Sequence, residues 1–150
     1  MRQNKYAEHL ALLALLVAFF GYFSIRVWDI DFWLHIASGR HIVENGSIPT
    51  HDPFGIYSDI DAWGQIVLKS QWLGQVFLYE IHHYLGLDGV IAWRAALLTA
   101  CLWIVYWRCR LINASLGTTF MMTALTGVVL LSFTGERPQL FSYLFLAVML

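Results

Sequence analysis

The stretch Leu10-Ala11-Leu12-Leu13-Ala14-Leu15-Leu16-Val17-Ala18-Phe19-Phe20-Gly21-Tyr22-Phe23-Ser24-Ile25 decides the architecture. It carries no charge, and only Gly21, Tyr22 and Ser24 interrupt its aliphatic and phenyl side chains. At ~1.5 Å per residue, such a run is about the length needed to cross the ~30 Å hydrocarbon core of a bilayer. Directly after it comes Trp28-Asp29-Ile30-Asp31-Phe32-Trp33-Leu34-His35. Tryptophans favour the membrane–water interface, so two carboxylates and a histidine emerge where the chain leaves the apolar phase. An enzyme acting on a lipid-borne substrate needs polar groups at that depth.

Composition agrees with a membrane protein. A mean hydropathy of +0.60, with 13% charged and 16% aromatic residues, lies far from soluble averages. A net charge of -1 makes no electrostatic case for nucleic acid. The two cysteines, Cys101 and Cys109, stand about two helical turns apart in one apolar segment. That spacing disfavours a disulfide, and too few ligands accompany them for a zinc site. They read as buried helix cysteines. Met1-Arg2-Gln3-Asn4-Lys5 resembles the basic start of a signal peptide, but the apolar stretch is long for one and no Ala-x-Ala pattern follows. A retained first span is the expectation.

The predicted fold is all-α: polytopic transmembrane helices with a large first outer loop containing interfacial helices. The first span covers 9–27, the loop 28–86, the second span 87–107 and the third 118–134, while 138–150 begins a fourth. The apolar tail from Leu140 to Leu150 is too short for a crossing of ~20 residues, so the natural chain is expected to continue. Arg2 and Lys5 before the first span, with Arg108 and Arg110 after the second, give the orientation. The positive-inside rule puts the N-terminus in the cytoplasm and the loop outside. The sequon Asn113-Ala114-Ser115 then faces the cytoplasm and carries no glycan.

Within the loop, Asp31 to Glu44 has helical spacing, with Phe32, Ile36 and Val43 on one stripe and Asp31, His35 and Ser38 on another. Gly46 after Asn45 is a C-terminal stop. Ser47 to Gly55 is turn chemistry, in which Asp52 beside Pro53 reads as a turn-stabilising side chain or, alternatively, as a substrate contact. Ser58 to Trp63 is acidic and irregular. Ser70 to Leu85 forms an amphipathic interfacial helix through Trp72, Val76, Phe77, Tyr79 and Tyr84. Gly86-Leu87-Asp88-Gly89 breaks it.

Candidate site residues follow from position. Asp29 and Asp31 share a face if extended and diverge by about 200° on a helix, so a helix starting early leaves only one facing a reacting centre. Alternatively Asp29 caps the loop helix and Asp31 sits at its positive end. Asp31 and His35 meet at i,i+4 spacing. His35 reads as a metal ligand, a proton carrier, a phosphate contact or a half-buried filler behind Trp33. His41, His51, His82 and His83 lack ligand-like spacing and read as interface or surface residues. Arg94 lies two turns inside the second span, where a charge either faces a polar partner such as a lipid phosphate or snorkels outward. Arg137, after the third span, suits bidentate phosphate binding or anchors a headgroup beside Glu136. Pro138 opens the fourth helix from a first-turn position.

Together, Asp29-x-Asp31-x-Trp33-x-His35, Gly39-Arg40, Asn45-Gly46, Pro49-Thr50-x-Asp52-Pro53-Phe54, Ser70-Gln71-Trp72-Leu73 and Arg137-Pro138-Gln139 look like a bacterial group of polytopic membrane proteins similar to GT-C glycosyltransferases. Those enzymes take a sugar from a polyprenyl-phosphate donor. The resemblance implies that Asp29 and Asp31 hold the place of the acidic residue after the first span, serving as catalytic base or metal ligand. It gives Glu136, in the second outer loop, an assisting role. Metal-dependent members carry paired acids there, whereas this chain has one. A Mg or Mn ion, if used, would take Asp29, Asp31 and Glu136, and hard cations want several oxygen ligands.

Glycosyl transfer needs an oriented or deprotonated hydroxyl and a stabilised phosphate leaving group. Two classes of function are therefore expected. The first is a transferase of the bacterial plasma membrane acting on its outer face, with Asp29, Asp31 and Glu136 catalytic and His35, Arg94 and Arg137 binding a polyprenyl-phosphate lipid. The second is a non-catalytic subunit of a larger membrane assembly, whose partners are lipid and other membrane subunits.

Overall fold

The computed structural model describes residues 2–48 and 62–149. Most of the expected turn over Ser47 to Gly55, with His51 and Asp52, lies outside the described residues, as does most of the acidic stretch from Ser58 to Trp63. All regular structure among the described residues is helical, as the apolar patterning predicts. The elements are α1 (Arg2–Phe23), α2 (Phe32–Asn45), α3 (Ala62–Leu111), α4 (Leu116–Leu130), a 3-10 turn (Leu131–Phe133) and α5 (Leu140–Met149). Lys5–Phe23 and Lys69–Leu111 are long and apolar enough to cross a membrane, and Leu116–Leu130 and Leu140–Met149 are shorter apolar helices.

Helix boundaries differ from the sequence expectation in instructive places. α1 stops at Phe23, and Ser24 closes it by bonding from both its amide and its hydroxyl to the Phe20 carbonyl. The interfacial helix and the second apolar segment, which together make up α3, are two helices separated at Gly86, where the sequence predicts a break. Gly86 has φ 67° and ψ -164°, a conformation essentially reserved for glycine. Leu87, Asp88 and Gly89 are helical again. α2 ends as expected: Gly46 adopts the left-handed conformation (φ 65°) and its amide returns to the Ile42 carbonyl.

The chain divides into two compact units. One comprises Met1–Arg26, Ile91–Thr134 and Leu140–Leu150. Its core is Phe23, Ala95, Leu97, Leu98, Cys101, Leu102, Leu130 and Leu140. α1 approaches α4 where the Phe19 ring lies over Gly127, at a distance that leaves no room for a Cβ. Cys101 and Cys109 are free thiols. At the start of α1, Glu8 accepts from the Tyr106 hydroxyl and pairs with Arg110 at 3.1 Å. On the rest of α1 the apolar side chains Leu10, Leu13, Val17 and Phe20 are exposed.

The other unit comprises Val27–Val90 and Gly135–Gln139. Here α2 lies against the first arm of α3, burying Phe32, His35, Ile36, Ser38, Gly39 and Ile42. Contact is tight at Gly39, whose missing side chain lets the Gln75 carbonyl approach; a Cβ there would stand 2.2 Å from that oxygen. This contact rotates the buried stripe from the one expected. Ile42 points inward and Val43 is exposed, while the polar His35 and Ser38 share the buried face with Phe32 and Ile36. His82 sets its ring edge against Phe32 and Trp33, and His83 stacks on Tyr79.

Candidate functional site

Between α1 and α2 the chain is non-helical over residues 25–29, and α2 begins only at Phe32. Asp29 therefore stands outside the helix, in a turn of its own making. Its Oδ1 accepts from the Asp31 amide at 3.0 Å, and its carbonyl accepts from the Phe32 amide at 3.2 Å. Asp31 occupies the N-cap position without a side-chain cap bond. Since Asp29 precedes the helix, the 200° divergence expected of two helical aspartates does not arise. Both carboxylates reach the same partner.

That partner is Arg137, from the segment Gly135–Gln139. Its Nε donates to Asp29 Oδ2 at 2.5 Å and its Nη2 to Asp29 Oδ1 at 3.2 Å. Nη2 also lies 2.8 Å from Asp31 Oδ2. The three side chains differ in exposure: 5% for Asp29, 43% for Asp31 and 40% for Arg137. The Asp29 fork is thus the inner, fixed contact, and Asp31 closes the cluster from the solvent side.

Glu136 completes it. Fully buried, its Oε2 accepts from the Asp29 amide at 3.4 Å. The segment carrying Glu136 and Arg137 is placed by small residues. A Cβ on Gly135 would fall 2.4 Å from Asp29 Oδ2, and Pro138 is seated on Gly74 of α3, where a Cβ would stand 2.6 Å from the proline ring. Pro138 therefore docks the segment against α3, and α5 starts two residues later, at Leu140.

Electrostatics follow from this packing. Burial alone pushes the Asp29 carboxyl up. The Arg137 hydrogen bond, the Asp31 amide and the positive charge of Arg137 outweigh it and hold Asp29 below the ordinary carboxylate value of 3.8. His35, 6% exposed, is held below the ordinary imidazole value of 6.5, chiefly by burial. The nearby Asp31 and Asp29 partly oppose that effect and Arg137 reinforces it. Burial thus favours the neutral form of His35.

Five of the six expected site residues, Asp29, Asp31, His35, Glu136 and Arg137, belong to this unit. Arg94 belongs to the other. Fully buried, its guanidinium donates to backbone carbonyls: Nε and Nη2 to Phe23 (3.1 and 2.9 Å), Nη1 to Thr134 (3.0 Å) and Nη2 also to Ile25. These are carbonyls at the ends of α1 and of the 3-10 turn, where helix termini leave acceptors without intrahelical donors. Arg94 serves them as a cap.

Sequence reasoning missed Gln75. It is 1% exposed, and its Nε2 lies 3.4 Å from His35 Nδ1. The available signal was a polar residue at i-3 and i-4 from Leu78 and Tyr79, on the otherwise apolar face of α3.

The residues present fit a cation poorly. Both Asp29 oxygens are held by Arg137 and the Asp31 amide. Among the described residues, no group of three His, Cys, Asp or Glu side chains is arranged to hold a metal. What the cluster offers is a partly exposed arginine side chain flanked by a partly exposed aspartate. A carboxylate next to an arginine fork can take a proton from a hydroxyl while the arginine steadies a phosphate. The chain matches no protein-family model, no curated protein and no solved structure.

Proposed function

We propose that this protein is a membrane transferase of the GT-C type, moving a sugar from a polyprenyl-phosphate donor to an acceptor hydroxyl on the outer face of a bacterial plasma membrane. One observation carries the reading. Two segments, each following an apolar helix, meet in a cluster of Asp29, Asp31, Glu136 and Arg137. The membrane assignment draws support from the two long apolar helices and from the exposed Leu10, Leu13, Val17 and Phe20 along α1.

In this reading Arg137 binds the donor phosphate through the guanidinium edge it shares with Asp31. Asp29 keeps the guanidinium oriented, and Glu136 anchors the Asp29 turn through its amide. Asp31 then takes the proton from the acceptor hydroxyl as its oxygen bonds to the anomeric carbon. The carbon–oxygen bond to phosphate breaks, and polyprenyl phosphate leaves with the electron pair, stabilised by Arg137. No step requires a metal.

The test uses membrane vesicles containing the full chain and undecaprenyl phosphate carrying a radiolabelled hexose. Time-dependent release of undecaprenyl phosphate, lost in Asp31→Asn, supports the assignment. Equal release from vesicles with and without the protein overturns it and favours a structural subunit.

A further inference from the structure

Gln75 and His35 form a buried polar pair on the facing sides of α3 and α2. They are polar residues among buried apolar ones on the same helices, Phe32 and Ile36 on α2 and Leu78 on α3. The Gln75 amide nitrogen lies 3.4 Å from His35 Nδ1, and its Oε1 has no hydrogen-bond partner among the described residues. Gly39, one turn after His35, brings the Gln75 backbone against α2, and a Cβ at Gly39 would meet that backbone at 2.2 Å. The pairing is therefore built into a tight contact of the two helices at Gly39.

An amide N–H is only a donor, so the ring nitrogen it meets must accept. A neutral imidazole that accepts at Nδ1 carries its proton at Nε2. The groups bearing on the ring electrostatically are Asp31, Arg137 and Asp29, the members of the cluster itself. His35 lies one turn from Asp31, whose carbonyl accepts from the His35 amide at 3.0 Å.

We infer that Gln75 is a positioning residue that holds His35 with its proton on Nε2, so that an uncharged imidazole stands beside the Asp29–Asp31–Arg137 cluster. Arg137 is thereby left as the cation for phosphate, and His35 adds no positive charge. The role of Arg137 rests on the transferase reading; the tautomer does not.

The experiment is a long-range proton–nitrogen correlation spectrum of the full chain in lipid nanodiscs, with ring-labelled histidine and His35 assigned by its loss in His35→Gln. No lipid substrate is added, so failure of the transferase reading cannot be confused with failure of this one. The expected wild-type pattern at pH 7.5 is Nε2 protonated and Nδ1 accepting. Gln75→Glu, which offers only acceptors to the ring, moves the proton to Nδ1, and Gln75→Leu gives a mixture of tautomers. A wild-type His35 with its proton on Nδ1 overturns the inference, as does a tautomer unchanged in both variants. The wild-type spectrum alone is decisive if the variants do not fold.

Discussion

Arg137 grips Asp29 with two nitrogens, Nε at 2.5 Å and Nη2 at 3.2 Å, across 108 positions of sequence. The fork leaves part of Nη2 for Asp31 at 2.8 Å. A guanidinium held in this way is oriented by Asp29 through Nε and Nη2, while its side chain stays 40% exposed. Lysine, a point charge without a fork, cannot hold Asp29 by two bonds while turning another toward a ligand. Arg137→Lys should therefore lose transfer activity by tenfold or more. Its folding should be less affected than in Asp29→Asn, where the loss of a charge-assisted pair costs ~2 kcal/mol. Thermal unfolding in detergent, set beside the vesicle transfer assay, separates the two effects.

Asp31 behaves differently because it is half exposed. Exposed ion pairs contribute about 0–1 kcal/mol, so Asp31→Asn should melt within a few degrees of the wild type. As the proposed general base, its loss should lower turnover by about 10²–10⁴-fold. Wild-type turnover in that variant would remove Asp31 from the mechanism.

Gly135→Ala tests the cluster without touching a charged residue. Its Cβ would stand 2.4 Å from Asp29 Oδ2, so the carboxylate must turn away from Arg137. The expected result is a loss of transfer activity although every charged residue of the cluster is retained. Gly21→Ala, which meets nothing within 4 Å, is the control and should remain active.

Arg94 is predicted to matter for folding. Replacing it with methionine leaves the carbonyls of Phe23, Ile25 and Thr134 without their guanidinium donors. A buried acceptor without a donor costs about 1–3 kcal/mol, so a total near 3 kcal/mol or more is expected. Arg94→Lys should recover only part of it, since one ammonium cannot reproduce the fork. Reduced yield of folded protein in detergent, with normal specific activity in the folded fraction, is the checkable outcome.

Acid should weaken the unit containing the cluster in two stages. His35 is held below its ordinary value, so the folded state resists its protonation and the unfolded chain takes the proton first. That contribution is fully present above pH 6.5 and is lost as the pH falls from there towards the folded value. Asp29 is also depressed, so its contribution is present above pH 3.8 and is lost as the pH drops further. Melting temperatures measured from pH 8 to pH 3 should show the first decline in the wild type. His35→Gln should abolish that decline and keep the second.

Much of the helical scaffold is legible in the residue order. The Leu10–Ile25 run, the apolar stretch within α3 and the Asn45-Gly46 stop all act through neighbours one or two turns away, so local patterning suffices to place them. The candidate residues Asp29, Asp31, Glu136 and Arg137 are legible for a related reason: charges beside apolar helices stand out against their surroundings. Gln75 and the carbonyl partners of Arg94 are not. A glutamine in an amphipathic helix is unremarkable until the helix facing it is known, and a backbone carbonyl has no signature at all.

Hydropathy and turn chemistry, both properties of short stretches, settle that this chain is helical, where its apolar segments lie and where glycine must end or break a helix. They leave open which carboxylate meets which guanidinium. That depends on the non-helical turn that releases Asp29 from α2 and on the seating of Pro138 against Gly74, which aims Arg137 back at it. It depends equally on the close contact at Gly39, which turned Ile42 inward and buried His35 against Gln75. The turn is local, but the other two are fits between segments 35 or more residues apart, and steric fit at that separation exists only once the chain has folded.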